Sequence, residues 1–267
     1  MFGTILVYKN FFHHLKNINM KTNSEKGHGK NVANFGHLIT FCSGYGADYN
    51  PTKESIKPAA LAAKYTEALN SLDTLNEKLP AYSKAVHDRE RLFAPLSKFV
   101  TRIVLAATIA DTSKQLMVDV KNIARKLKGS RAKAIDNTPP VDPGNPGSEA
   151  HKKHSVSQLS FDNRIDNMDK LIKVLGAIPG YKPNETDLSI AGLNRLLTDM
   201  KTVNTETLNA YVDVSNQRIN RNKILYAHAT GLVDIALDVK IYIQSAFGHI
   251  GPQHKQVSKY KFIAFKI

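Results

Sequence analysis

The residues best suited to chemistry in this chain are cations. Arg125, Lys126, Lys128, Arg131 and Lys133 place five positive charges within nine residues, with no carboxylate among them. Such a run can hold phosphate, and Lys152 and Lys153 would extend it. A structural account is equally direct. Cations at a helix C-terminus complement the helix dipole, and Gly129 is placed to cap that helix. Single-strand binders also interleave aromatic rings for base stacking, and the run has none. We favour the structural account and keep these seven residues as candidate anion or nucleic-acid contacts. A second basic feature occurs twice: Arg89 and Arg91 precede Phe93, and Arg218 and Arg221 precede Tyr226. Each pair falls near the expected far end of a long helix. They are candidates for a patch related between two repeats, although helix capping or pairing is the simpler role.

Catalytic and metal chemistry finds little support. Ten histidines are present, but the close pairs His13-His14 and His151/His154 fall in segments expected to be flexible. A di-iron bundle needs Glu-x-x-His on facing helices. The single such spacing, Glu25-Lys-Gly-His28, has no second copy. His37, His87 and His228 stand alone. Cys42 is the only cysteine, which excludes an intramolecular disulfide and thiolate metal clusters and fits a reducing compartment. It sits in an apolar turn with no base placed beside it, so a buried structural thiol is expected. The carboxylates are scattered among lysines, and no pairing for acid–base work is evident. Ser43-Gly-Tyr-Gly46 lacks the strand before and the Lys-Ser/Thr after that a phosphate loop requires. The sequence therefore predicts no catalytic residue, no metal and no cofactor, and a protein that is not an enzyme.

The elements that would position any site come from a pattern that occurs twice. Asn34-Phe-Gly-His-Leu-Ile39, Tyr49-Asn-Pro51, Ser55-Ile56 and Ala59-x-Leu61 are matched by Asn167-Met-Asp-Lys-Leu-Ile172, Tyr181-Lys-Pro183, Asp187-Leu188 and Ala191-x-Leu193. Leu92-Phe-Ala94 then matches Leu225-Tyr-Ala227. A duplicated unit implies two similar helical halves about a pseudo-two-fold axis. Leu61, Tyr65, Leu69, Leu72, Leu75 and Leu79 recur at helical spacing, as do Leu188, Leu193, Leu196, Leu197, Met200, Val203 and Leu208. The spacing predicts helices near 32–43, 56–92, 96–128, 161–176, 188–222 and 230–247. A break is expected near Asp111-Thr112-Ser113, which resembles a second cap. Ser55 and Asp187 are the expected N-caps of the two long helices, with Pro58 in the first turn of one. Pro80 is expected to kink that helix. Tyr49 and Tyr181 should fold back onto the helices that follow them. The one plausible strand is Tyr260–Phe265.

The fold expected is all-α, an antiparallel bundle of two helical repeats with short helices closing the ends. Residues 1–31 form a basic extension, 32–133 the first repeat, 134–158 a Pro/Gly-rich linker, 159–248 the second repeat and 249–267 a basic tail, with the two repeats forming one globular unit. The net charge of +14 is concentrated in the two tails and at the end of the first repeat, where residues 125–133 carry five cations and no acid. Residues 1–33 carry five lysines against one glutamate, residues 241–267 carry four lysines and no acid, and residues 166–240 balance nine against nine. The chain of 267 residues has no apolar run near the ~20 residues that span a bilayer. Ile103–Ala110 is too short for a concealed hairpin of a pore-forming bundle. Phe2–Tyr8 is apolar but lacks a basic lead and a cleavage site, so it is not expected to be a secretory signal. Met20 is the expected natural start.

Beyond those blocks, Phe93-Ala-Pro-Leu-Ser-Lys-Phe-Val-Thr-Arg102, Ser155-Val-Ser-Gln-Leu-Ser-Phe-Asp-Asn-Arg164 and Gly231-Leu-Val-Asp-Ile-Ala-Leu-Asp-Val-Lys240 also carry a likeness. Together they resemble a family of uncharacterised bacterial all-helical proteins with the same duplication, over about residues 34–262. The resemblance implies a helical fold and carries over nothing about activity, cofactor or catalytic residues. The first 19 residues lie outside it. The expected function is a non-enzymatic cytoplasmic scaffold or interaction protein, self-associating, with a protein partner that includes a second copy of itself. The alternative is a nucleic-acid or polyanion binder acting through Arg125–Lys133 and the basic tails. Association with a membrane is not expected.

Overall fold

The computed structural model describes residues 27–129 and 159–265. Eight α-helices are assigned among them: α1 His28–Gly44, α2 Pro58–Phe93, α3 Leu96–Thr108, α4 Lys114–Lys128, α5 Phe161–Gly176, α6 Ile190–Tyr226, α7 Leu232–Phe247 and α8 Pro252–Ser258. Short 3-10 turns cover Gly46–Asp48 and Glu54–Ile56. The protein is all-α, as the periodicity predicts. No described residue forms a strand. The expected strand at Tyr260–Phe265 is a segment without regular secondary structure, part of whose backbone is held by side chains. Asn31 Nδ2 donates to Ile263 O at 2.8 Å and Asn31 Oδ1 accepts from Ile263 N at 3.1 Å. Asn34 Nδ2 donates to Lys261 O at 2.8 Å. With those groups occupied, no second strand is needed.

Local signals place most boundaries. Ser113 caps α4, its Oγ accepting from Leu116 N at 3.2 Å. Gly129 closes α4 with φ 71°, the left-handed conformation that glycine adopts without a Cβ penalty. Pro80 lies inside α2, on an exposed face, where the carbonyl it leaves unpaired can meet water. Two expected caps are wrong. Ser55 lies in the 3-10 turn before α2 and its buried Oγ has no hydrogen-bond partner. Asp187 is engaged by Arg102, and Ser189 Oγ instead accepts from Gly192 N at 3.1 Å. A cation 85 residues away thus holds that carboxylate, alongside the local backbone amides of Asp187 and Leu188. The stretch read as N-terminal extension also contributes structure, since α1 starts at His28 and Asn31 is buried. So does the basic tail, where α8 buries Val257.

The chain divides into two compact units. Unit 1 combines the described residues up to Ala81 with those from Tyr211 onward, and unit 2 spans Tyr82–Ala210. Each unit thus draws on both halves of the sequence. In unit 1 the core is built from Val32, Phe35, Leu38, Leu61, Leu232, Ala236 and Ile243, among others. In unit 2 it is built from Val100, Ile103, Leu127, Leu171, Leu175, Leu193 and their neighbours. Both units contain the same tie. Tyr49 is buried and its hydroxyl donates to Ile56 O at 2.7 Å. Tyr181 is buried and its hydroxyl donates to Leu188 O at 2.9 Å. The two prolines, Pro51 and Pro183, lie in these spans. Each tyrosine folds back on the turn leading into its long helix and fixes where that helix starts.

Candidate functional site

The basic run is only partly described. Arg125, Lys126 and Lys128 occupy the last turn of α4, where cations complement the dipole. Arg125 is half-buried and the two lysines are exposed. Arg131, Lys133, Lys152 and Lys153 lie outside the described residues, as do His13, His14, His151 and His154. The four arginines of the repeat-related patch divide between the units. In unit 2 the Arg89 guanidinium sits 4.0 Å from the centre of the Phe161 ring and donates to Asn204 Oδ1 at 3.1 Å. Arg91 Nη2 pairs with Asp88 at 2.7 Å. In unit 1 Arg221 donates to Asn222 Oδ1 at 2.8 Å, and Arg218 is exposed. Arg89 is thus occupied in packing. Its neighbour Arg164, which sequence patterns did not single out, donates to Phe93 O at 3.0 Å. Phe93 and Phe161 meet edge-on at 4.9 Å.

Cys42 is 2% exposed, and burial pushes its thiol up to about 12. A thiolate is therefore inaccessible near neutrality. His28 Nδ1 lies 2.7 Å from the Tyr226 hydroxyl, and burial, aided by nearby Arg221, lowers its pKa. Among the described residues no cluster of three or more His, Cys, Asp or Glu is placed to hold a metal. None of their helices is long and apolar enough to cross a membrane.

A groove of about 630 Å³ lies in unit 2. One wall runs from the end of α2 into α3, through Leu92, Pro95, Leu96 and Phe99. The other is α6, through Gly192, Leu196, Asp199, Val203 and Glu206. These α6 positions recur every three or four residues, so they form one helical row. Gly192 is required at the end of that row, because a Cβ there would stand 2.1 Å from Thr186 O. The floor is apolar and the rim carries the carboxylates of Asp88, Asp187, Asp199 and Glu206.

Two of those carboxylates are already compensated. Asp88 accepts from Lys84 at 2.6 Å and from Arg91 at 2.7 Å. The Lys84 hydrogen bond is the main cause of its lowered pKa. Asp187 is held by a two-pronged contact from Arg102, at 2.6 and 3.3 Å, and that hydrogen bonding keeps its carboxyl below the usual range. Asp199 and Glu206 are exposed and form no ion pair among the described residues. A second cavity of about 610 Å³ is lined by Arg102, Leu105, Ile109, Lys182 and Leu188. The Arg102–Asp187 pair thus borders both, its carboxylate on the first and its guanidinium on the second. Of the groove residues, Arg91 is among the candidates read from sequence, Asp187 is expected there only as a helix cap, and Leu196 and Val203 show only helical spacing, which reads equally well as buried core. Comparison with family models, with curated proteins and with solved structures finds no match for this chain.

Proposed function

We propose that this is a non-enzymatic, cytoplasmic helical interaction protein that engages a protein partner through the groove of unit 2. The carrying observation is the groove itself. It joins an apolar floor, open to solvent, to a rim of fixed charge, which is the usual composition of a recognition surface. Leu92, Phe99, Leu196 and Val203 remain only partly buried along it, so apolar area is left for a partner to cover. The placement of Arg89 in packing and of Arg125, Lys126 and Lys128 at a helix end supports a protein partner over a polyanion. We also propose that the two halves arose by duplication, as in the bacterial helical family the sequence resembles. The matching Tyr49 and Tyr181 hydrogen bonds support this.

The test is site-specific photocrosslinking of the full chain in cells that express it naturally. A photoreactive residue in place of Val203 should yield an adduct with a discrete polypeptide, identified by mass spectrometry. The same residue in place of Ile241, exposed on unit 1, should not. Crosslinks to nucleic acid from position 126, with none to protein from position 203, would reject the proposal in favour of the polyanion binder.

A further inference from the structure

The groove's chemistry also specifies what should lie in it. Gly192 to Glu206 covers fifteen residues of one helix, a wall about 21 Å long for fourteen steps of 1.5 Å. That length suits several turns of a helix rather than a compact small molecule. The polar groups along the rim are mainly carboxylates, with Thr202 and an Arg91 already tied to Asp88. An extended peptide needs partners for its own amides and carbonyls. Unit 1 shows what such partners look like, since Asn31 and Asn34 grip the backbone of Lys261 and Ile263. The groove offers no comparable ladder of side-chain amides. A helix satisfies its own backbone and asks a groove only for apolar contact and charge at the edge.

The charge is equally specific. Asp88 and Asp187 have their own cations, whereas Asp199 and Glu206 have none among the described residues. They stand seven residues apart on α6, about 10 Å along its axis. We propose that the groove receives the apolar face of a cationic amphipathic helix supplied by a partner protein, with two Lys or Arg residues about two turns apart meeting Asp199 and Glu206. This rests on the groove being a protein-binding surface, and it adds the class of ligand.

The test uses the full-length protein and a fluorescently labelled peptide of about fifteen residues. The peptide carries leucines at i, i+3, i+4 and i+7 and two lysines seven apart. Binding is followed by anisotropy at low ionic strength. The cationic peptide should bind. The double variant Asp199→Lys/Glu206→Lys, altered only at exposed positions, should bind it about ten-fold more weakly. A peptide with glutamates replacing the lysines should show the opposite preference, and a central proline should abolish binding. Leu196→Glu should weaken both peptides, with circular dichroism confirming retained helicity. Equal binding of cationic and anionic peptides, or no response to the charge reversal, overturns the assignment. Undiminished binding of the proline-containing peptide also overturns it, in favour of an extended ligand. No peptide binding despite a protein crosslink at Val203 rejects the helical ligand but leaves the groove as an interface. Loss of that crosslink as well rejects the interface.

Discussion

Replacing Tyr181 with Phe removes one oxygen and leaves the ring in place. The side chain is 5% exposed and its hydroxyl donates to Leu188 O at 2.9 Å. The perturbation is therefore a lost hydrogen bond with almost no change in packing. A buried carbonyl deprived of its donor costs about 1–3 kcal/mol. The Tyr49 hydroxyl makes the equivalent bond to Ile56 O at 2.7 Å in unit 1, so Tyr49→Phe should cost about the same there. A chain with two units need not unfold in one step, so a single melting temperature would blur the effect. Amide hydrogen exchange resolves it locally. In Tyr181→Phe, amides at the start of α6, including Leu193 N with its 2.8 Å bond to Ser189 O, should exchange about ten-fold faster, since 1.4 kcal/mol is a factor of ten. The matching amide in unit 1, Leu61 N bonded to Lys57 O at 3.0 Å, should keep its rate. Tyr49→Phe should invert the pattern. A change below about two-fold in the altered unit would show that the bond adds little beyond what water supplies to the carbonyl. Our account of how these helix starts are fixed would then be wrong.

Three further outcomes follow from the site and its surroundings. Gly192→Ala should destabilise unit 2 by about 1–3 kcal/mol, measured by local hydrogen exchange, because its Cβ would stand 2.1 Å from Thr186 O. A stabilised variant would refute the close approach. Arg102 hydrogen bonding lowers the Asp187 pKa, so the pair's contribution is present above the ordinary carboxylate pKa. It is lost as the pH falls through the lowered folded-state value. A carboxyl NMR titration should show Asp187 titrating below free aspartate, and Arg102→Gln should raise it, since Arg102 is the main cause of the lowering. Cys42, with its thiol raised to about 12, should resist a thiol-specific reagent at pH 8 in the folded protein and react at once in denaturant. Rapid native reaction would contradict its burial.

Features that depend on neighbours along the chain are legible from the residues alone. Ser113 accepts from an amide three residues on, and Gly129 adopts a left-handed turn that few other residues tolerate. Both were legible because their partners lie within one helical turn. The same holds for the apolar stripes that make the chain all-α, and for Tyr49 and Tyr181, whose acceptors lie seven residues away. Features that depend on distant residues emerge from the packing of the folded chain. Ser55 looked like a cap and was buried without a partner. Asp187 looked like a cap and was claimed by Arg102. Tyr260–Phe265 looked like a strand, yet Asn31 and Asn34, more than two hundred residues earlier, hold part of its backbone without one. The groove is the extreme case, since its walls come from residues 92–99 and 192–206. Helical periodicity specifies which side chains share a face. It does not specify which faces are covered, because covering a face requires a surface from another part of the chain.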